Sequence, residues 1–194
     1  MDKPTNDLPN NSQGDKIFKL EQNIVLIGFM GAGKSTIGTF LASLLEMKFV
    51  ETDELIEQEL GLPVSAIFER YGEGFFRDKE TEIIQELTNL APGTAVISTG
   101  GGVVLRPVNF TALKEAGLVF FLEASAEEVY KRLKDKGDRP LLQGGSIQEK
   151  IVALMEKRKD LYNKADFKIS TNQKEPAEIV REIIDLAVAA GRDI

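Results

Sequence analysis

Short apolar runs alternate with amphipathic segments along most of this chain. The runs at 24–27, 94–98 and 119–122 are almost continuously apolar, a pattern typical of parallel strands that are covered on both faces. Two further runs, at 48–50 and 167–170, complete a set of five predicted strands. Because helical periodicity fills the intervals between them, the pattern predicts a three-layer α/β/α domain built on one parallel sheet.

Several helix boundaries also carry a sequence signal. Ser125 and Ser146 are each followed three residues later by a glutamate, which is the pattern of a capping box at a helix start. Pro176 is expected to open the final helix, and Gly191 is expected to close it.

Two segments interrupt the alternation of strands and helices. Residues 54–91 form a long helical insertion between the second and third strands, and residues 135–145 are loop-like, with several glycines. In an enzyme that must exclude water, such insertions carry the acceptor site and the lid. We therefore expect 54–91 to bind the substrate and 135–145 to act as a lid.

The N-terminal residues and the overall composition narrow the class of protein. Residues 1–22 are polar and include Pro4 and Pro9, so we expect a flexible tail ahead of a single domain at 23–194. No transmembrane run or signal-peptide pattern is present, which predicts a cytoplasmic protein with no membrane partner. The net charge of −7 argues against nucleic-acid binding.

The chain contains no cysteine and no histidine. Disulfides, zinc–thiolate sites, histidine bases and catalytic triads that use histidine are therefore excluded. A general base must be Asp, Glu, Lys or Tyr, and a bound metal ion must be held by oxygen atoms. Oxygen ligands favour Mg²⁺.

The first predicted strand leads directly into a glycine-rich turn and a helix at Gly28–Thr36, with the spacing G-x-x-x-x-G-K-[ST]. This spacing predicts a phosphate-binding loop, in which Lys34 reaches the β- and γ-phosphates of a nucleotide and Ser35 ligates Mg²⁺. A plain glycine turn would have no use for a lysine beside the last glycine. The other residues expected to bind ATP here are Gly31, Ala32, Gly33 and Thr36.

Two acidic residues, Glu51 and Asp53, follow the second predicted strand. The carboxyl ends of parallel strands form the ligand-binding edge of an open α/β sheet, so these carboxylates are expected near the phosphate loop. One could help hold Mg²⁺, and the other could accept a proton from an acceptor hydroxyl. Position alone fits equally well with Asp53 as a helix cap.

For two further candidate site residues, Arg77 and Arg139, the sequence also allows a purely structural interpretation. Arg77 and Glu80 are three residues apart on a predicted helix, the spacing of a surface ion pair. An arginine in a polar loop, such as Arg139, is usually solvated. The three glycines at 100–102 follow a predicted strand directly, which indicates a close approach of backbone to a ligand.

Taken in order, six motifs resemble those of the shikimate kinases, over roughly residues 23–190. They are Gly28–Thr36, Thr52-Asp53, Phe76-Arg77-x-x-Glu80, Thr99-Gly100-Gly101-Gly102, Arg139-Pro140-Leu141-Leu142 and Arg158-x-x-x-Tyr162. The resemblance implies a P-loop fold like that of the nucleoside monophosphate kinases, with a five-stranded parallel sheet of order 2-3-1-4-5 and a lid loop. It also implies transfer of the ATP γ-phosphate to the 3-hydroxyl of shikimate, with Mg²⁺, in aromatic amino-acid biosynthesis.

The resemblance further implies a role for each matching residue at the shikimate site. Asp53 would bond the ring hydroxyls and serve as the candidate base. Arg77, Gly101 and Arg158 would be the other shikimate ligands, with the two arginines gripping the carboxylate. Paired guanidinium groups suit a carboxylate because each presents a planar fork of donors.

On the nucleotide side, the resemblance implies that Arg139 is the lid arginine at the phosphates and that Arg132 stacks on adenine. Pro176 would lie near the adenine loop. The expected catalytic set is Lys34, Asp53 and Arg139. Glu51 stands where the family usually has Asp, and its extra methylene is expected to let it reach the ion only through water or in a different rotamer.

We expect the protein to be a monomer. Two alternative functions remain at this stage. A kinase for another polyol acid, such as gluconate, would use the same fold. A nucleotide-dependent switch would need a guanine-reading N-K-x-D motif, which residues 163–166 match as a string. That match precedes the last predicted strand, whereas the motif must follow a strand, so we interpret it as a coincidence.

Overall fold

The computed structural model describes residues 20–134 and 146–191, and within them the five predicted strands form one parallel sheet. Its order is β2-β3-β1-β4-β5, which confirms the expected topology. Each strand begins and ends within one residue of its predicted limits. The strands are β1 (Ile24–Ile27), β2 (Lys48–Glu51), β3 (Ala95–Ser98), β4 (Leu118–Glu123) and β5 (Phe167–Ser170).

Helices connect the strands on both faces of the sheet. They are α1 (Lys34–Leu45), α2 (Thr52–Leu60), α3 (Val64–Leu87), α4 (Pro107–Ala116), α5 (Ala126–Leu133), α6 (Ile147–Tyr162) and α7 (Pro176–Gly191), and a short 3₁₀ turn covers Val103–Leu105. The hydroxyls of Ser125 and Ser146 accept hydrogen bonds from the third residue of α5 and α6, as the capping pattern predicted. Among the described residues, no helix is long and apolar enough to cross a membrane.

The central strand β1 is buried on both faces, which explains its continuous apolar run. Ile24 and Leu26 point to a core that α1 and α7 cover, whereas Val25 and Ile27 point to a core that α3 and α4 cover. Side chains alternate between the two faces of a strand, so both sets of positions must be apolar in a sheet covered on each side.

The predicted insertion at 54–91 consists mostly of α2 and α3, which pack against each other. Helix α3 is kinked at Gly72, whose φ of 81° and ψ of 167° lie outside the helical region. The part of α3 after this kink turns Phe76, Arg77 and Glu80 inward, and all three side chains are buried.

The expected tail at 1–22 and the expected lid at 135–145 fall mainly on residues that the structure does not describe. Leu20 is an exception, because it packs in the core. The folded part therefore begins before residue 23, and the predicted boundary of the tail was too late. A sequence rule that weighs polarity over a window overlooks a single buried leucine.

Candidate functional site

The glycine-rich turn lies between β1 and α1, at the carboxyl edge of the sheet. Gly33 adopts a positive φ of 99° immediately before Lys34 begins the helix. The Lys34 Nζ atom donates to the carbonyl oxygens of Gly28 at 2.9 Å and Phe29 at 3.1 Å. Its ammonium group is therefore held over the loop, where the positive end of the α1 dipole also lies.

A large cavity of about 670 Å³ opens above this loop. The expected ATP-binding residues Gly31, Gly33, Lys34, Ser35, Thr36 and Arg132 all line it. Arg132 Nη1 donates to the carbonyl oxygen of Gly31 at 3.0 Å, so α5 is tied to the loop. The size of the cavity and the two cations at the loop, Lys34 and Arg132, suit a nucleoside triphosphate.

Three of the residues expected at the nucleotide are not placed there by the structure. Ala32 is buried in the core, and its N–H donates to the carbonyl oxygen of Phe29. Pro176 is exposed at the start of α7 and does not line the cavity. Arg139 lies outside the described residues.

Ser35 and Glu51 meet at the edge of the large cavity. The Ser35 hydroxyl donates to Glu51 Oε2 at 2.6 Å. Burial raises the pKa of Glu51, while its hydrogen bond to Ser35 and the charge of Lys34 oppose that shift. Within the described ranges, no group of three His, Cys, Asp or Glu side chains could hold a metal ion. These two oxygen donors fit an ion such as Mg²⁺, which takes few protein ligands and completes its shell with phosphate and water.

A smaller cavity, of about 70 Å³, lies beside the first. It brings together all four expected substrate-binding residues, Asp53, Arg77, Gly101 and Arg158. Arg77 is only 7% exposed and Arg158 only 3%. The remaining wall is largely apolar and consists of Met30, Val64, Phe68 and Phe76, together with Gly100 and Gly102. Two enclosed cations in a small, partly apolar space suit a compact acid.

Arg77 and Glu80 form a buried ion pair, so the alternative of a surface pair is wrong. Arg77 Nη1 donates to Glu80 Oε2 at 2.7 Å, and its Nε and Nη2 atoms donate to Glu73 Oε1. Burial raises the pKa of Glu80 to about 7, although the charge of Arg77 acts in the opposite direction. The two carboxylates fix the orientation of the guanidinium group.

The three glycines at 100–102 are required by three different neighbours. A Cβ atom on Gly100 would lie 2.6 Å from Asp53 Oδ1, and one on Gly101 would lie 2.9 Å from Met30 N. A Cβ atom on Gly102 would overlap the guanidinium group of Arg77. Any larger residue here would therefore displace a side chain or backbone atom that lines a cavity.

Asp53 is not the cap of α2, the alternative that its position allowed. The helix begins at Thr52, with Glu51 as its cap residue, and Asp53 lies in the first turn. The Thr52 hydroxyl accepts a hydrogen bond from Gly100 N at 3.1 Å. This bond holds the glycine loop beside the carboxylate of Asp53.

The sequence reasoning gave no role to Arg106 and Tyr162. Arg106 donates to the carbonyl oxygen of Arg77 and forms an ion pair with Asp78, whereas the hydroxyl of Tyr162 donates to the carbonyl oxygen of Gly101. For Tyr162, the sequence offered one signal, its spacing of four residues from Arg158, which is about one turn of a helix. No pattern in the sequence marks Arg106.

The string at 163–166 does not reach the nucleotide cavity. Asp166 accepts a hydrogen bond from Val119 N and pairs with Lys114, at the start of β4 and β5. These contacts use both carboxylate oxygens at the opposite edge of the sheet from the phosphate loop. The interpretation of this match as a coincidence agrees with that position.

Known proteins match this chain along most of its length. The model of the shikimate kinase family matches residues 30–187. The shikimate kinase of Thermodesulfovibrio yellowstonii is 47% identical over 163 residues, which cover 84% of this chain and 93% of the relative. The relative from Caldicellulosiruptor bescii is 43% identical over 168 residues, covering 87% of this chain and 96% of the relative.

Solved structures give the same result. The shikimate kinase from Acinetobacter baumannii in complex with shikimate matches with a TM-score of 0.85 and 36% identity, covering 90% of this chain and 97% of that one. A gluconokinase from Sinorhizobium meliloti matches with a TM-score of 0.61 at 17% identity, over 90% of this chain and 96% of that one, so it shares the fold alone. The phosphate loop, the paired arginines and these matches together show that this chain belongs to the shikimate kinase family.

Proposed function

We infer that the protein transfers the γ-phosphate of ATP to the 3-hydroxyl of shikimate, giving shikimate 3-phosphate and ADP. The observation that carries this inference is the pair of buried arginines in a small cavity that adjoins the nucleotide cavity. Both cavities are lined by Met30, Asp53, Gly100 and Gly101. An acceptor in the smaller cavity therefore lies next to a phosphate chain in the larger one.

We propose that Arg77 and Arg158 bind the carboxylate of shikimate, while Asp53 and Gly101 bind its hydroxyls. Arg158 Nη1 donates to the carbonyl oxygen of Gly101, which holds the guanidinium group at the wall of the smaller cavity. Glu80 and Glu73 hold the guanidinium of Arg77 in a fixed orientation, so little side-chain entropy is lost when the acid binds.

Lys34 and Arg132 support the proposed binding of ATP phosphates and adenine. On binding, Lys34 would exchange its carbonyl partners for β- and γ-phosphate oxygens, and Arg132 would leave Gly31 to stack on adenine. The roles of Arg139 at the phosphates and Pro176 near adenine remain predictions from the resemblance. A cation at the phosphates would stabilise the charge that develops during transfer.

Ser35 and Glu51 would hold the Mg²⁺ ion that accompanies ATP. The ion would neutralise negative charge on the phosphate oxygens. Because Ser35 and Glu51 already hydrogen-bond each other, binding requires only that this bond opens. A cation held here would oppose the effect of burial on the pKa of Glu51 and favour its ionised form.

Asp53 would orient the acceptor hydroxyl and accept its proton late in the reaction. Phosphoryl transfer proceeds through a loose transition state, so positioning contributes more than base strength. Asp53 is suited to this because it lines both cavities.

The decisive experiment is to measure ADP release with ATP and shikimate, using ATP alone as the control. Release that depends on shikimate supports the proposal, and parallel reactions with gluconate and with GTP test the two alternative functions. Equal rates with gluconate would overturn the assignment of the acceptor. Nuclear magnetic resonance of the phosphorylated product would identify the hydroxyl that received the phosphate.

A further inference from the structure

Tyr162 lies behind the smaller cavity, where it contacts two of the residues that line it. Its hydroxyl donates to the carbonyl oxygen of Gly101, and Arg158 Nη1 donates to the same oxygen at 3.0 Å. A carbonyl oxygen has two lone pairs, so these two donors satisfy it. Hydrogen bonds to the Gly101 carbonyl oxygen therefore link the glycine loop after β3 to helix α6.

The ring of Tyr162 is held in place independently of its hydroxyl. The residue is 2% exposed, and its ring stacks on that of Phe121 with centroids 4.9 Å apart and planes inclined by 9°. Burial raises the pKa of Tyr162 to about 12. The hydroxyl therefore keeps its proton at neutral pH and remains a hydrogen-bond donor.

Arg158 depends on this arrangement for its position. Its guanidinium lies 5.8 Å from the centre of the Phe29 ring, a contact that does not fix the direction of its donors. Without the hydroxyl of Tyr162, the partly buried carbonyl oxygen of Gly101 would keep only one protein donor. A carbonyl that has lost one of its two donors would draw Arg158 more strongly and compete with an anion in the cavity.

We propose that Tyr162 is a positioning residue for the acid group of the substrate, acting through the Gly101 carbonyl on Arg158. Tyr162 does not line the smaller cavity, so it acts only through these neighbours. This inference rests on the proposed function, because it assumes that Arg158 binds the carboxylate of shikimate.

The substitution Tyr162→Phe tests the proposal, since it removes one oxygen atom and retains the stacked ring. We expect the KM for shikimate to rise about threefold to tenfold, the range given by the loss of one hydrogen bond. The KM for ATP should change by less than about twofold, because Tyr162 does not line the nucleotide cavity. An unchanged KM for shikimate would overturn the proposal.

Two control variants separate positioning from stability. Tyr71→Phe makes the same chemical change on an exposed ring of α3 and should leave both KM values unchanged. Phe121→Leu removes the stacking partner but leaves the hydroxyl. It should therefore lower Tm, and it should raise the KM for shikimate by less than Tyr162→Phe does. If Phe121→Leu raised that KM as much as Tyr162→Phe did, packing alone would explain the effect.

A double-mutant cycle with Arg158→Lys tests whether Tyr162 acts through Arg158. In the Arg158→Lys background, Tyr162→Phe should change the KM for shikimate by less than about twofold, since the guanidinium that it positions is gone. A full effect in that background would contradict the proposed route. If wild-type protein released no ADP with shikimate, the proposed function itself would be overturned, and this role with it.

Discussion

At the scale of single residues, Arg77 offers a direct test of the substrate site. Replacing it with alanine removes the guanidinium proposed to bind the carboxylate of shikimate. We expect the KM for shikimate to rise about tenfold to a hundredfold, the range for lost charged hydrogen bonds. The KM for ATP should change by less than about threefold. Arg70→Ala, an exposed arginine on the same helix, is the matched control in the same initial-rate assay. Equal increases in both KM values would argue against the proposed carboxylate site.

Lys34 tests the nucleotide site in the same way. The Lys34→Ala substitution should lower kcat by at least about a hundredfold, because it removes the cation expected at the transferred phosphoryl group. Circular dichroism and Tm should show that the fold is retained. The exposed Lys48→Ala substitution serves as the control. Turnover close to that of the wild type would refute the assignment of the phosphate loop.

Glu80 predicts a dependence of stability on pH. Its pKa rises from 4.5 to about 7 on folding, so the folded protein holds this proton more tightly than the unfolded chain does. The stabilisation is fully present below pH 4.5 and is lost as the pH rises to about 7. Relative to Glu80→Gln, the free energy of unfolding of the wild type should fall by at most about 1.4 kcal/mol per pH unit over this range.

Denaturant titrations of wild type and Glu80→Gln at several pH values would measure that difference. A difference that grew in favour of the wild type as the pH rose would show that the charge of Arg77 outweighs burial. The pKa of Glu80 would then be lowered, not raised.

The residues that sequence reasoning found most directly are those whose role is local. Lys34 and Ser35 follow from the chemistry of one loop and its helix. Arg77 and Glu80 share a helix face, but whether that face is buried depends on packing against the glycine loop, which spacing alone does not give. The roles of Tyr162 and Arg106 depend on contacts with Gly101 and with α3, at least 25 positions away in the sequence, and nothing nearby signals them.

At the scale of elements, the kink in α3 distinguishes two nearby glycines. Gly72 has a φ of 81° and a ψ of 167°, a region that is essentially restricted to glycine, whereas Gly74 is helical. A Cβ atom at either position would meet nothing within 4 Å, so any difference comes from the backbone. Gly72→Ala should therefore destabilise the protein by about 1–3 kcal/mol. Gly74→Ala should stabilise it by about 0.5–1 kcal/mol.

Denaturant unfolding of these two variants and the wild type would measure both effects. Gly74→Ala is the matched control, because it makes the same change two residues away. Equal effects of the two substitutions would show that alanine adopts the backbone conformation of residue 72 without strain.

The strands were predictable because burial on both faces of the sheet leaves continuous apolar runs. The starts of α5 and α6 were predictable because a serine cap is a local signal. The kink at Gly72 was not predicted, since α3 continues with helical periodicity on either side of it. The tail boundary failed at Leu20 for a related reason. One buried side chain depends on packing from α7 and β4, which the surrounding polar sequence does not indicate.

At the scale of the whole molecule, we predict a monomer. The most exposed large apolar side chains are distributed over separate elements, namely Phe40 and Leu44 on α1, Tyr71 on α3, Leu105 and Val108 near α4, and Val152 on α6. Within residues 20–134 and 146–191, no one element presents the extensive apolar patch that stable dimers bury. Light scattering coupled to size-exclusion chromatography should give 21.4 kDa. A mass near twice this value would contradict the prediction, and Leu44→Lys would then test whether α1 forms the contact.

The two cavities have a wall in common, formed by Met30, Asp53, Gly100 and Gly101. Because the cavities adjoin at these residues, a single compound that links an adenosine polyphosphate to a cyclic hydroxy acid could occupy both. Once one half is seated, the other meets its own cavity at an effective concentration set by the linker, which reaches about millimolar for short flexible linkers. Such a bisubstrate compound should bind about 10²- to 10⁴-fold more tightly than either half alone.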